Sequence, residues 1–248
     1  MDDNKLTEQE AVSYDVNGYV VLRGALTPTE CAMAVERFES HADETFAAII
    51  NLHQKDELIR EIVMLPSVVA VVEQLQRWEV DAVMSQILFK KAASAYSTQA
   101  WNPHQDNSYP QIPYPLNITT NLFLTDADKE NGTMYLYPGS QRETLLPYVP
   151  TPSHREKPGT NPGNTIDIPS HYKPVDLIVK AGDVLVMNSH LIHGSYPNNH
   201  PTRSRPLFSV TYVSKGVEVP YGNNAKRTRM AVKPYVQKYF GVTAAAHQ

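Results

Sequence analysis

Pro103-His104-Gln105-Asp106 sets an imidazole and a carboxylate two residues apart. On an extended strand residues i and i+2 point to one face, so His104 and Asp106 can aim at a single point. A third donor is available in Asn188-Ser189-His190-Leu191-Ile192-His193-Gly194-Ser195, just after a β-rich run. Two imidazoles and one carboxylate cover one face of an octahedron and leave three positions open. That arrangement suits a non-haem iron(II) ion that must take a cosubstrate and oxygen together. His-x-Asp alone is a common polar pair, and so is a His-Gly-Ser turn; the two in this order, within a β-rich half of the chain, make the stronger pattern. His193 is the expected third ligand. His190 is the rival, but three residues away on a strand it faces the opposite side.

A keto-acid cosubstrate such as 2-oxoglutarate, bound to the metal at one end, would extend a second carboxylate into the fold. A guanidinium can hold that carboxylate with two parallel hydrogen bonds. Arg203 and Arg205 follow His193 by ten and twelve residues. Arg205 opens the alternating run Arg205-Pro206-Leu207-Phe208-Ser209-Val210-Thr211-Tyr212, in which Arg205, Leu207, Ser209 and Thr211 share a face. Gln86 and Lys90 also share a strand face and are candidates to reach cosubstrate or substrate, with an exposed strand pair the equal alternative. Trp101 could wall the pocket or simply pack. Lys226-Arg227-Thr228-Arg229 reads as a solvated basic run, and Cys31 as inert helix packing.

These residues need a rigid support. Helical signals come early: Thr27-Pro28-Thr29-Glu30 is an N-cap followed by proline at the first helical position and an acid. Residues 55–78 give one or two further helices, interrupted by Pro66. Gly18-Tyr19-Val20-Val21-Leu22-Arg23 is a short strand. From about residue 80 short strands recur at 83–90, 118–125, 133–137, 176–180, 184–188 and 205–213. Turn residues separate them, among them Asn131-Gly132, Pro138-Gly139-Ser140 and Ala181-Gly182-Asp183. This texture predicts a mainly β sandwich or jelly roll with N-terminal helices against it. No repeat or linker divides the chain, which reads as one domain over 1–248. Its parts are helical support to about residue 80, a jelly-roll core over about 81–215 and a C-terminal tail over 216–248.

The 248 residues suffice for a core that needs no disulfide or structural zinc. One cysteine excludes an internal disulfide and a thiolate-rich metal site, and a lone thiol suits a reducing compartment, here the cytoplasm. With 22 basic and 26 acidic residues the formal charge is −4. A nucleic-acid footprint is not expected. The polar, acidic start is no secretory signal, and no apolar run reaches the roughly 20 residues of a membrane span. A small-molecule substrate is the expected partner; the oligomeric state is not legible.

His104-Gln105-Asp106, Asn131-Gly132-Thr133, Pro138-Gly139-Ser140-Gln141, Ala181-Gly182-Asp183 and His193-Gly194-Ser195-x-x-Asn198 together resemble the phytanoyl-CoA dioxygenase family. Asn17-Gly18-Tyr19-Val20-Val21-Leu22-Arg23-Gly24 resembles its usual opening, so the likeness runs from about residue 7 to 215. The resemblance implies a double-stranded β-helix (cupin-like jelly roll), Fe(II), 2-oxoglutarate and molecular oxygen. Carried over by position, it makes His104, Asp106 and His193 the iron ligands. It favours Arg205 over Arg203 as the 2-oxoglutarate residue, although the two straddle the usual spacing, and it gives Asn121 a cosubstrate contact. PGSQ stands where PGSH is common. Halogenating relatives have a small residue at the position of Asp106, so the resemblance implies hydroxylation or another oxidation and not halogenation. A non-catalytic jelly roll or another cupin-type metal enzyme would lack oxygen-dependent succinate formation. Two long segments, 107–117 and the proline-rich 143–173 with His154, Arg155, Lys157, His171 and Lys173, could form a substrate lid, and the basic residues of the second could meet an acidic substrate, although a solvated loop is the plainer reading of them.

Overall fold

The computed structural model describes residues 5–42, 48–151, 163–219, 227–235 and 237–240. Four helices come first: α1 (Glu8–Asn17), α2 (Pro28–Glu39), α3 (Glu57–Val63) and α4 (Pro66–Gln76). The strands begin among them, with β1 (Tyr19–Leu22), β2 (Ala48–Ile50), β3 (Val80–Lys90), β4 (Trp101–His104), β5 (Asn117–Phe123) and β6 (Met134–Leu136). They continue with β7 (Tyr148–Val149), β8 (Thr165–Ile166), β9 (Val175–Asp176), β10 (Val184–Asn188), β11 (His193–Ser195), β12 (Arg205–Ser214) and β13 (Met230–Ala231).

Local chemistry accounts for the helix starts. Thr27 caps α2 and closes a reciprocal capping box with Glu30, with Pro28 at the first helical position. Pro66 does not kink one helix; it begins α4 after α3 has ended. The sequence reading did not single out α1, although Thr7 and Glu10 form the same capping box there.

The larger sheet runs β1-β10-β5-β12-β3-β13, with β2 also on β3, and the smaller one β4-β11-β6-β9. All their pairings are antiparallel. This is the expected double-stranded β-helix. Period-two alternation sorts the larger sheet's faces. Phe208, Val210 and Tyr212 of β12, with Ile118 and Leu122 of β5 and Val184 and Val186 of β10, join the helices' Val68, Val69 and Val72 in the main core. Each such side chain contributes about 1.5–3 kcal/mol by leaving water. The opposite faces turn inward between the sheets, where Phe123, Leu136, Leu185, Met187 and Leu207 form a second cluster. Arg205, Ser209, Thr211 and Asn121 share that inward side and line a cavity.

The segment expected as a tail continues the fold. β13 pairs with β3, Val232 and Phe240 lie in the main core, and Glu61 accepts the backbone N–H groups of Lys238, Tyr239 and Phe240. The strand expected at 176–180 is shorter: only Val175–Asp176 is a strand, followed by a single bridge of Val179 to Ala127. Among the described residues no helix is long and apolar enough to cross a membrane.

Candidate metal centre

His104 ends β4 and His193 begins β11, and the two are direct partners across the ladder. Their ring centroids lie 4.3 Å apart. Asp106 is not on the strand; it opens a single 3-10 turn over Asp106–Ser108. The carboxylate still meets the imidazoles, with its Oδ1 3.4 Å from His104 Nε2 and 3.5 Å from His193 Nε2. One donor atom from each residue falls within 4.8 Å of the others.

Both rings are set by their far nitrogens. His104 Nδ1 donates to Asn102 O at 2.7 Å, and His193 Nδ1 donates to Leu191 O at 3.0 Å. That fixes the tautomer and turns each Nε2 lone pair to the centre. Burial opposes a charge on Asp106, but His193 and His104 beside it and the Thr119 hydroxyl hold its pKa down at about 2. Burial pushes His193 down to about 4, despite the opposing carboxylate of Asp106. Near neutral pH this leaves an ionised carboxylate beside a neutral imidazole, the protonation a metal ligand needs.

The residues between and beside the ligands brace them. Gln105 reaches away from the centre, donating to His190 O at 2.9 Å and accepting from Leu146 N at 2.8 Å. Asn107 N donates to Ser189 O at 2.9 Å, and Asn107 Nδ2 donates to His190 Nε2 at 2.7 Å. His190 therefore ties the two ligand-bearing segments together and stands outside the cluster. Ser140 Oγ accepts from Ile192 N at 2.9 Å, just before His193. Gln141, in place of the usual histidine, donates to Asp15 O and Val16 O and so anchors the end of α1.

Gly194 has a steric reason. A Cβ there would collide with the Tyr135 hydroxyl and come within 2.8 Å of Trp101 O. We expect Gly194→Ala to push β4 from β11 and weaken iron(II) binding about tenfold or more, as losses of supporting contacts commonly do. Anaerobic titration with iron(II) measures this; an unchanged affinity would show that the strands yield without cost.

The centre opens into a cavity of about 250 Å³. Arg205 lies on its wall, only 1% exposed. Its Nε donates to Gly132 O at 3.1 Å, while its Nη1 is buried with no hydrogen-bond partner. Burial lowers its pKa to about 9, which leaves it charged near neutrality. Asn121 Nδ2, on the same wall, is likewise buried and unpartnered. Such orphaned donors are costly in a folded protein. They fit a carboxylated cosubstrate held between Arg205 and a metal, and the two-imidazole, one-carboxylate donor set fits iron(II).

The other expected residues divide. Gln86 and Trp101 line the cavity. Lys90 does not: its Nζ donates to Ser195 Oγ at 2.7 Å, to Tyr196 O and to Gly132 O. It is paired with Arg205 across the ladder and braces the Gly132 carbonyl from behind. Gly132 holds φ +86°, and a Cβ would stand 2.9 Å from Tyr196 O and 3.0 Å from Lys90 Cδ. Asn198 donates to Lys90 O and Arg203 O, fastening the start of β12. Arg203 is used on the outside, where Asp128 and Glu130 take its guanidinium.

The two substrate-side loops are described in part. In the first loop Asn107, Ser108 and Ile112 are buried, and Tyr109 lines the cavity. Asn164 joins the two loops, donating to Tyr109 Oη at 3.0 Å and Ser108 Oγ at 2.9 Å. His154, Arg155 and Lys157 lie outside the described residues. The basic run is also misread: Arg227 is buried and lines the cavity, and Arg229 is paired with Asp81 at 2.7 Å. Lys226 lies outside the described residues. Cys31 is free and buried, as expected.

A double-stranded β-helix with a buried His-Asp-His cluster and an inward arginine belongs to the class of cupin-like jelly rolls built to carry a metal centre. Residues 14–206 match the phytanoyl-CoA dioxygenase (PhyH) family model, and the chain belongs to that family of iron(II)/2-oxoglutarate oxygenases. It is 27% identical over 170 residues to phytanoyl-CoA dioxygenase 1 of Oryza sativa subsp. japonica, covering 67% of this chain and 57% of that protein. The chain spans about half the length of the curated plant relatives it matches. Among solved structures it resembles the non-haem α-ketoglutarate-dependent carbocyclase SnoK of nogalamycin biosynthesis. There the TM-score is 0.69 at 22% identity, covering 90% of this chain and 89% of that one. EctD of S. alaskensis, solved with 2-oxoglutarate and 5-hydroxyectoine, gives a TM-score of 0.71 at 18% identity, with coverage of 88% and 80%.

Proposed function

We propose that this chain is an iron(II)- and 2-oxoglutarate-dependent dioxygenase that hydroxylates a small metabolite, with His104, Asp106 and His193 as iron ligands and Arg205 holding the cosubstrate. The observation that carries the reading is the convergence of two oriented Nε2 atoms and one carboxylate in a cavity whose wall holds a guanidinium with an unpartnered Nη1. When bound, iron(II) with 2-oxoglutarate and oxygen supplies the oxidant for a substrate C–H bond, with succinate and carbon dioxide released.

The protein's part is geometry. Asp106 balances one of the two charges of the metal, and the backbone carbonyls behind both histidines keep their rings from turning. Arg205 Nη1, already dehydrated, loses nothing further when a carboxylate reaches it. Asn121 Nδ2 and Gln86 offer further polar contacts along the same wall. Trp101, Tyr109, Met84 and Leu207 keep the rest of the cavity largely apolar, which excludes bulk water. A cavity of about 250 Å³ lies at the small end of ligand sites, which run to about 300–1,000 Å³. It suits a small molecule, and no nucleic-acid or membrane partner enters the reading. We read the chain as one domain of this kind. Its free, buried Cys31 supports a reducing compartment such as the cytoplasm.

The test is a metabolite screen with iron-loaded protein. Succinate should form from 2-oxoglutarate only in oxygen, and faster with a true substrate. Succinate absent under all conditions, with iron and cosubstrate both bound, would leave a binding protein or another cupin-type enzyme.

A further inference from the structure

Arg227 is a second buried cation in the same cavity. It is 8% exposed, its Nη1 is buried with no hydrogen-bond partner, and it lines the cavity with Met84, Gln86 and Thr211. Among the described residues no carboxylate pairs with it. Asp81, at the end of β3 that pairs with β13, is taken by Arg229 at 2.7 Å. Burial lowers the Arg227 pKa, as befits a guanidinium that lacks a counter-charge.

The ladders order the cavity. Arg205 is paired with Lys90, at one end of β3. Met230 of β13 is paired with Ala82, toward the other end of β3, and Arg227 precedes it by three residues in the chain. Asp106 accepts from Thr119, which is paired with Thr211 of β12. The candidate metal ligands line the same cavity as both arginines. With Arg205 read as the partner of the cosubstrate, Arg227 is left for a second anion.

We propose that Arg227 is a specificity-determining residue that pairs with a carboxylate of the substrate, so that the substrate is a small carboxylic acid. This rests on the reading of the site as an iron(II)/2-oxoglutarate centre. An incoming carboxylate would supply the acceptor that Nη1 lacks, in a place already stripped of water. It would also fix one end of the substrate and leave its carbon chain facing the metal ligands. A neutral substrate would instead leave a dehydrated charge in the finished complex, a costly outcome.

The test is calorimetric titration of anaerobic protein saturated with iron(II) and 2-oxoglutarate. The probes are short-chain and amino carboxylic acids, each beside its primary amide. At least one acid should bind well above its amide. Arg227→Gln should raise that acid's Kd about thirtyfold or more while the amide shifts little, and Arg227→Lys should recover part of the loss. The Kd for 2-oxoglutarate should stay the same in both variants, which also confirms that they are folded. Equal binding of acids and amides, no acid bound, or an acid Kd unmoved by Arg227→Gln overturns the inference. A changed 2-oxoglutarate Kd overturns it too, by giving Arg227 to the cosubstrate. If the wild-type protein fails to form the visible iron–2-oxoglutarate complex, it is the reading of the site that falls; a normal complex without acid preference removes only the role of Arg227.

Discussion

Replacing His104, Asp106 or His193 by alanine, in chloride-free buffer without oxygen, is expected to abolish the weak visible band of the iron(II)–2-oxoglutarate complex. The argument is one of donor count and charge. Each residue supplies one atom to a cluster less than 5 Å across, and none of the described acids or histidines stands by as a replacement. Loss of a mere supporting contact costs metal sites about 10–100-fold in affinity, so loss of a ligand should exceed about a hundredfold. Asp106→Ala should be severe because it also removes the negative charge that offsets the metal in a buried place. His190→Ala is the control. His190 is already engaged by Asn107 Nδ2 and lies outside the cluster, so the band should persist. A full-strength band in His193→Ala would move the third ligand elsewhere.

Arg205→Leu should raise the apparent KM for 2-oxoglutarate at least about tenfold, and plausible losses for a buried charged partner run well beyond that. Iron(II) binding should survive, since Arg205 touches none of the three ligands. Leucine keeps much of the volume but cannot supply the dehydrated Nη1. Arg203→Leu should leave the constant near its original value, because Arg203 is occupied by Asp128 and Glu130 on the outside. Steady-state kinetics across 2-oxoglutarate concentrations decides the matter. The reverse pattern, with Arg203→Leu impaired and Arg205→Leu normal, would reassign the cosubstrate residue.

The register choice between these arginines shows what alternation can do. Arg205, Leu207, Ser209 and Thr211 share a face in any extended strand, and all four do line the cavity. Alternation could not reveal that Lys90, which lies opposite Arg205, would send its ammonium behind the wall to Ser195 and Tyr196. Lys90 was expected from its strand face alone; the Asn131-Gly132 turn, a distant segment, decides where its charge goes. Arg227 was misjudged for the same reason. Its neighbours in sequence are basic and polar, so it reads as solvated. It is buried only because β13 returns to the edge of β3 more than a hundred residues later. Thr7 and Glu10 carry a local signal for the start of α1, a reciprocal capping box like that of α2.

By itself the sequence determined what depends on neighbours along the chain. That includes the capped start at Thr27, the helix break at Pro66, the alternating strands, and the residue types of a two-histidine, one-carboxylate site. It also includes the motif order that marks the family. Only the tertiary structure decided which side chains share the cavity, and that Asp106 reaches the histidines from a 3-10 turn and not from a strand. It likewise decided that Nη1 of Arg205 and Nη1 of Arg227 are left without hydrogen-bond partners there. The physical reason is that caps, turns and periodicity are energies of adjacent residues, whereas burial and pairing are set by sheet topology. β12 meets β3 and β5, and β11 meets β4, across separations over which the chain carries no local signal.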